Sequence, residues 1–362
     1  MDGRTSLYAP HLARGRYFNP WRPATARRLD LLRWKLRRNP YDKRRPPRVP
    51  VVSNDGTYLA DTGAPDSITW IGHSTFAVQD GGEVFLTDPH WGPRALLPRR
   101  HSPPGVPIAA VPAHAFAVLS HNHYDHLDAW TVTRLPPGVE WYVPLGLGSW
   151  LRRHGRPAGE RTVRELDWWQ SVRRGRWTLT CLPAQHWSNR LDSGRNSTLW
   201  CSWLLDSGSR RYYFAGDTGY FPGFAEIGRR FAPIDVAFLP IGAYEPRWFM
   251  AYPHMNPADA WRAFLDLDAR WFVPMHWGTF DLTDEPIDLP PRVLAEAVAA
   301  AHGDASRVRL PAVGERWPSP PPVQDRQAPG GEERVPGGEG GASGGAEGAP
   351  FAAPATTHRE SL

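Results

Sequence analysis

Apolar and polar positions alternate in short runs through the middle of this chain, and each run stops at a turn-forming or polar residue. Residues 68–71, 76–79, 84–87, 116–120, 141–144, 179–182, 200–205, 212–215, 236–240 and 271–275 have the apolar, β-branched and aromatic make-up of strands. Between and after them, residues 128–135, 222–231, 257–267 and 292–302 carry helical spacing, several with a proline near the start. Strands and helices interleaved in this order predict a mixed α/β domain over residues 66–312. No short-period repeat interrupts it.

The flanks read differently. Residues 1–65 form a basic, Pro-rich extension in which residues 25–38 predict one helix, stopped by Pro40. Leu29, Leu32 and Leu36 fall on one face of that helix, with Arg and Lys around them. Such a helix can lie on anionic lipid headgroups or dock on the α/β domain by its leucines. Docking is the usual fate of a leucine stripe and is the expectation here. In residues 313–362 Gly, Pro, Ala and Glu dominate, and apolar residues are too sparse to offset the entropy of ordering, so a disordered tail is expected.

Composition refines this picture in a few places. A chain of 362 residues with 41% apolar and 22% charged positions suits a soluble globular protein with a sizeable core. Its 18 Trp exceed what is ordinary; core filling accounts for most, leaving some for a greasy substrate or a membrane interface. The net charge of +5 hides an asymmetry, because residues 1–50 hold fourteen Arg/Lys against Asp2, Asp30 and Asp42. That local +11 leaves about −6 elsewhere, which argues against a nucleic-acid groove across the protein. Cys181 and Cys201 lie in strand-like runs without CxxC spacing and read as reduced packing thiols. No run has the character of a secretory signal or the length of a spanning helix. The expected location is cytoplasmic, with residues 1–50 available for peripheral contact with the anionic inner face of a membrane. Oligomeric state has no signature here.

The candidate chemistry is concentrated in His121-Asn122-His123-Tyr124-Asp125-His126, directly after the apolar run 115–120. Burying such groups side by side is costly unless a cation holds them together. Three more candidates each follow a strand-like run: His186, Asp217 and His276. Five His and two Asp suit two ions of the zinc type, although sequence does not separate zinc from other divalent metals. Asp88, at a strand end, reads either as an acceptor for a ligand imidazole or as an ordinary Asp-Pro turn. His73 reads as a similar support or as a buried histidine satisfied by backbone.

In this order the seven residues resemble the metallo-β-lactamase superfamily. That resemblance implies a four-layer αββα sandwich with the metals at one rim of the two sheets. Longer motifs are similar to one branch, the N-acylphosphatidylethanolamine-hydrolysing phospholipases D, over about residues 16–310. They include Phe18-Asn19-Pro20-Trp21, Trp70-Ile71-Gly72-His73-Ser74, Leu86-Thr87-Asp88-Pro89, Gln185-His186-Trp187, Phe214-Ala215-Gly216-Asp217-Thr218-Gly219-Tyr220 and Met275-His276-Trp277-Gly278-Thr279-Phe280. The most specific is Pro240-Ile241-Gly242-Ala243-Tyr244-Glu245-Pro246-Arg247-Trp248-Phe249-Met250.

The resemblance implies His121, His123 and His186 on one zinc, Asp125, His126 and His276 on the second, and Asp217 bridging them. A hydroxide between the ions would be the nucleophile. Asp125 and His254 are the catalytic candidates. His254 would lie near the reacting phosphate, where it steadies an oxyanion or protonates the leaving alkoxide; its other reading is a surface residue leading a helix. Tyr244 and Arg247 would shape the phosphate pocket, although Arg247 could equally pair with Glu245 or another acid. The implied reaction is hydrolysis of N-acylphosphatidylethanolamine or a related phospholipid to N-acylethanolamine and phosphatidic acid. Alternatives are a lactone or another phosphodiester as substrate, or a non-catalytic membrane-associated lipid-binding protein. Pro253 stands where the mammalian enzyme has Gln, and residues 90–114 are unlike the mammalian loop, so lipid preference can differ.

Overall fold

Two sheets pack face to face, and both faces of each are covered, which is why so many strands carry apolar residues at every position. The computed structural model describes residues 5–23, 28–154 and 162–323. The leader contributes the hairpin β1 (Leu12–Ala13) and β2 (Arg16–Tyr17), then α1 (Arg28–Leu36). In the first sheet β3 (Ser67–Gly72), β4 (Thr75–Asp80) and β5 (Glu83–Thr87) are antiparallel. To these β6 (Phe116–Val118), β7 (Glu140–Pro144) and β8 (Val163–Leu166) add in parallel, with α2 (Ala129–Arg134) and α3 (Gly148–His154) as crossovers. The second sheet starts antiparallel with β9 (Ser171–Arg174), β10 (Trp177–Leu182), β11 (Ser202–Asp206) and β12 (Arg211–Phe214). It ends with parallel β13 (Ile234–Pro240) and β14 (Ala269–Met275), joined through α4 (Gly223–Phe231), α5 (Arg247–Met250) and α6 (Pro257–Asp266). After α7 (Pro290–Ala300), β15 (Arg316–Pro318) returns to pair antiparallel with β3, so the first sheet has seven strands and the second six.

Period-two alternation sorts the side chains. From β6, Phe116 and Val118 enter the core between the sheets, while Ala117 faces outward with Val132 of α2, Leu135 just after it, and Trp150 and Leu151 of α3. Across the middle, Phe76 meets Phe238 at 4.6 Å and Phe85 meets Tyr212 at 5.3 Å between ring centroids. Ile227 of α4 and Phe264 of α6 close the far side. The result is the four-layer αββα sandwich. Much of the tryptophan is core: Trp70, Trp141, Trp177, Trp200 and Trp203 are fully buried.

Local caps start two helices just after loops that matter for chemistry. Asp128 accepts the Trp130 and Thr131 N–H groups at the head of α2. Asn256 and Asp259 form a capping box at α6, with Pro257 in the first turn.

Two expectations need correction. The helix of the leader does not dock by its leucines: Leu29, Leu32 and Leu36 are 73%, 55% and 77% exposed. It docks instead by Trp34, whose indole N–H donates to Asp284 Oδ1 at 2.9 Å and whose ring lies 5.4 Å from Phe249. One indole that buries a large ring and still finds an acceptor outcompetes the stripe. Residues 25–27 of the expected helix lie outside the described residues. The tail also begins later than position 313. Val313 is fully buried, β15 is paired, and the Val323 N–H donates to Asp235 Oδ1 at 2.8 Å. Strand pairing supplies the stabilisation that composition lacks; residues 324–362, the rest of the expected tail, lie outside the described residues. The leader is equally bound to the domain, with Leu7 and Leu59 both 1% exposed.

Candidate metal centre

The residues singled out by the sequence sit in loops at the same ends of the two sheets. His73 follows β3, residues 121–126 follow β6, His186 follows β10, Asp217 follows β12, and His276 follows β14 directly. Gly216 makes this convergence sterically possible: with φ +58°, a Cβ there would stand 2.5 Å from Ser120 Cβ. His73, Asp88 and His276 also hold left-handed backbone at φ 54°, 33° and 62°. Such strain in non-glycine residues is concentrated where a site requires it.

Two groups of four donors result, each with its ligand atoms within 4.8 Å of one another. One is His121, His123, His186 and Asp217; the other is His73, Asp125, His126 and His276. In the first, His121 Nε2 and His123 Nδ1 lie 2.9 Å apart, and His123 Nδ1 and His186 Nε2 3.2 Å apart. Asp217 Oδ2 is 3.8 Å from both His121 Nε2 and His186 Nε2. It is also 3.2 Å from His126 Nε2, so this carboxylate touches both groups. His276 Nε2 lies 3.1 Å from Asp217 Oδ1 and 3.4 Å from Asp125 Oδ2.

Supporting bonds set the tautomers. His186 Nδ1 is 2.9 Å from the Pro253 carbonyl, which can only accept, so its lone pair is on Nε2 and aimed into the cluster. His126 Nδ1 is bonded to Asp88 Oδ2 at 2.6 Å, with the same consequence. Asp88 also accepts the Ser120 N–H at 2.6 Å. His73 Nε2 lies 3.1 Å from Asp125 Oδ2, and the backbone N–H of His73 donates to Thr279 Oγ1 at 2.6 Å. Thus Asp88 and His73 both stand behind the cluster, in contact with its members.

Charge behaves as such a crowd dictates. Burial, and then the neighbouring His126, hold His121 well below the usual imidazole range. Burial takes His123 down to about 4 and His186 to about 3. Burial opposes charge at His126 and His276 too, but the carboxylates win, raising His126 well above its ordinary value and His276 to about 9. Asp125 and Asp217 stay well below the carboxylate range, because His126 and His276 outweigh the burial that pushes them up.

Three imidazole nitrogens facing one another cannot satisfy each other with protons. Of the converging atoms, His126 Nε2, Asp217 Oδ1 and His276 Nε2 are buried without an aligned hydrogen-bond partner, even where they are close. Buried, crowded and unsatisfied, these imidazole and carboxylate atoms fit divalent metal ions, which would replace the protons that the carboxylates otherwise hold on His126 and His276.

The remaining candidates lie at the edge. His254 Nδ1 is 3.9 Å from Asp217 Oδ2, its ring is 5.2 Å from that of His186, and its side chain is 13% exposed. Arg247 donates from Nη1 to the His254 carbonyl at 2.9 Å and from Nη2 to Asp259 Oδ2 at 2.7 Å. Tyr244 is buried, and its N–H donates to Glu285 Oε1 at 3.0 Å. Two contributors were not found by reasoning from side-chain chemistry. Asn19 donates to the His186 carbonyl at 3.0 Å, and Trp187 sets its ring 4.5 Å from that of His123. Their only signal was membership of motifs shared with the family.

Comparison with known proteins agrees with this geometry. The family model described as a beta-lactamase superfamily domain matches residues 83–277. A Caenorhabditis elegans N-acyl-phosphatidylethanolamine-hydrolyzing phospholipase D is 42% identical over 265 residues, covering 69% of this chain and 74% of that protein. An uncharacterized Mycobacterium tuberculosis protein is 40% identical over 299 residues, covering 80% of this chain and 77% of its own length. Among solved structures, a metallo hydrolase of Ignicoccus hospitalis superposes with TM-score 0.52 at 22% identity, over 70% of this chain and 97% of that one. This chain is a metal-dependent hydrolase of the metallo-β-lactamase superfamily, and it resembles the N-acylphosphatidylethanolamine-hydrolysing phospholipases D.

Proposed function

We propose that the centre is binuclear, takes two zinc ions, and hydrolyses the phosphodiester of N-acylphosphatidylethanolamine or a related phospholipid. The observation that carries this reading is the pair of donor groups meeting at the Asp217 carboxylate. His121 Nε2, His123 Nδ1 and His186 Nε2 would hold one ion, Asp125, His126 and His276 the other, and Asp217 both. Two divalent cations held there supply a water-derived nucleophile at neutral pH and neutralise charge on a phosphoryl group.

The protein's own groups account for the rest. Water oxygen bonds to phosphorus as the bond from phosphorus to the ethanolamine oxygen breaks, and the proton lost by the water passes to the leaving alkoxide. His254 is the edge group available to donate a hydrogen bond toward that oxygen. Burial pushes its pKa down to about 3, so the imidazole is neutral, with one N–H to offer. Arg247 acts on it indirectly, by gripping its carbonyl and tying it to the cap of α6. Asp88 and His73 hold His126 and Asp125 in place.

Substrate class rests on the relatives' named activity together with the surface of α1. Its exposed leucines, with Arg33 and Arg37 lying 5.0 and 5.5 Å from the exposed Trp248 ring, suit peripheral contact with an anionic membrane. Among the described residues no helix is long and apolar enough to cross a membrane. The test is mass spectrometry of products after the zinc-loaded protein meets mixed phospholipids. N-acylethanolamine with phosphatidic acid is expected; diacylglycerol would move the cleavage to the other side of phosphorus and overturn the reading.

A further inference from the structure

Leader residues 19–22 lace together the loops that carry His186 and His254. Asn19, 3% exposed, donates from Nδ2 to the His186 carbonyl at 3.0 Å and to the Tyr252 hydroxyl at 2.7 Å, while its Oδ1 accepts the Trp200 indole N–H at 3.0 Å. Trp21 donates its indole N–H to Gln185 Oε1 at 3.1 Å, and Gln185 Nε2 donates to the Tyr252 carbonyl at 3.0 Å. The Tyr252 hydroxyl in turn donates to the Arg22 carbonyl at 2.8 Å. This network anchors the backbone of Arg22, whose guanidinium carbon lies 5.7 Å from the centre of the Tyr252 ring.

A second guanidinium comes from the loop after His186. Arg195 lies 5.2 Å from the centre of the Trp187 ring, and Trp187 is edge-on to the metal-donor residue His123. The loop of Arg195 is tied to the leader that carries Arg22: the Tyr17 N–H donates to the Asn196 carbonyl at 2.9 Å, and Asn196 Nδ2 donates to the Tyr17 carbonyl at 3.0 Å. Burial pushes the Tyr252 phenol's pKa up, and the Asn19 hydrogen bond, Arg22 and Arg195 pull against it. Neither arginine has an ion-pair partner among the described residues. A guanidinium laid over an aromatic face keeps its N–H edge free. Two such cations brought together without a carboxylate repel each other until an anion enters between them.

We infer that Arg22 and Arg195 form a clamp for a phosphate group at the rim of the metal centre, floored by Tyr252 and Trp187. The phosphate can come from a lipid headgroup or from free phosphate in solution. Only the first source rests on the lipid reading given above.

The metal-loaded full chain tests this in two arms. One measures co-sedimentation with phosphatidylcholine vesicles containing phosphatidic acid; the other titrates inorganic phosphate calorimetrically. Arg22→Ala and Arg195→Ala are each expected to weaken binding about tenfold, the scale of one charge-assisted hydrogen bond, with metal content equal to that of the parent. Loss in the vesicle arm assigns the lipid headgroup, and loss in the phosphate arm assigns the free ion. The double lysine variant keeps the charge but not the flat fork, and is expected to bind more weakly than the parent. Parental binding by the double alanine variant in both arms, or by the double lysine variant, would overturn the clamp. Neither arm needs turnover, so failure to hydrolyse lipid would leave the clamp standing.

Discussion

The same two sheets end in two buried clusters of charged and polar groups, one at each end of β4 and β12, and only one of them is complete. At the end away from the metal-donor loops, Asp80 is 1% exposed and accepts from Arg176 Nη2 at 2.6 Å, Arg210 Nη1 at 3.2 Å and the Tyr212 hydroxyl at 2.7 Å. Next to it, Glu83 takes the Arg174 guanidinium at 2.5 Å and the Trp177 indole N–H at 2.8 Å. At the other end Asp217, 3% exposed, is surrounded by imidazoles, and several of the converging atoms have no aligned partner. Guanidinium and phenol partners close the first cluster within the protein. Imidazole partners leave the second open to a cation. Burial is common to both; satisfaction is what separates a structural charge cluster from a site.

The contrast can be broken most strongly by chelation. Stripping the metal is expected to abolish hydrolysis. It should also remove about 4 kcal/mol of stability where metal was present at a thousandfold over its dissociation constant. Melting curves with chelator and after metal return check this, and an unchanged melting temperature would contradict it. Next in size is Asp80→Ala. Removing one partner from a buried charge cluster costs about 3–5 kcal/mol, and denaturant unfolding should show that loss while elemental analysis finds full metal. Metal loss in this variant would mean that the two ends are not independent.

A smaller effect is expected of Asp88→Asn, which keeps the shape but weakens the bond that orients His126. Metal affinity, read by competition with a chromogenic chelator, should fall about 10–100-fold. Smallest in stability is the triple change of Leu29, Leu32 and Leu36 to Gln. Exposed positions move stability by only about 0.5 kcal/mol, but flotation with anionic vesicles should drop. Equal flotation would remove α1 from any membrane role.

How far the sequence spoke depended on how local each signal was. His121, His123, Asp125 and His126 were legible because four donors share one loop, and His186, Asp217 and His276 because each ends a strand-like run. The main strands were legible from apolar runs. Short β8, β9 and β15 were not, since Arg and Glu in half-exposed edge positions dilute the pattern. The leucine stripe of α1 misled because a 3.6-residue period marks an apolar face without saying what, if anything, covers it. Asn19 was invisible to chemical reasoning: its role depends on a contact with His186, 167 positions away. For Arg247 pairing with an acid was among the readings, but which acid was not legible, because Asp259 lies on another helix.

The central claim is that the unsatisfied cluster exists to hold two metal ions through a shared carboxylate. Elemental analysis of the purified chain beside Asp217→Asn tests it most directly. The account predicts two divalent ions per parent chain, and loss of metal together with hydrolysis in the variant. Two firmly held ions and full turnover in Asp217→Asn would contradict it.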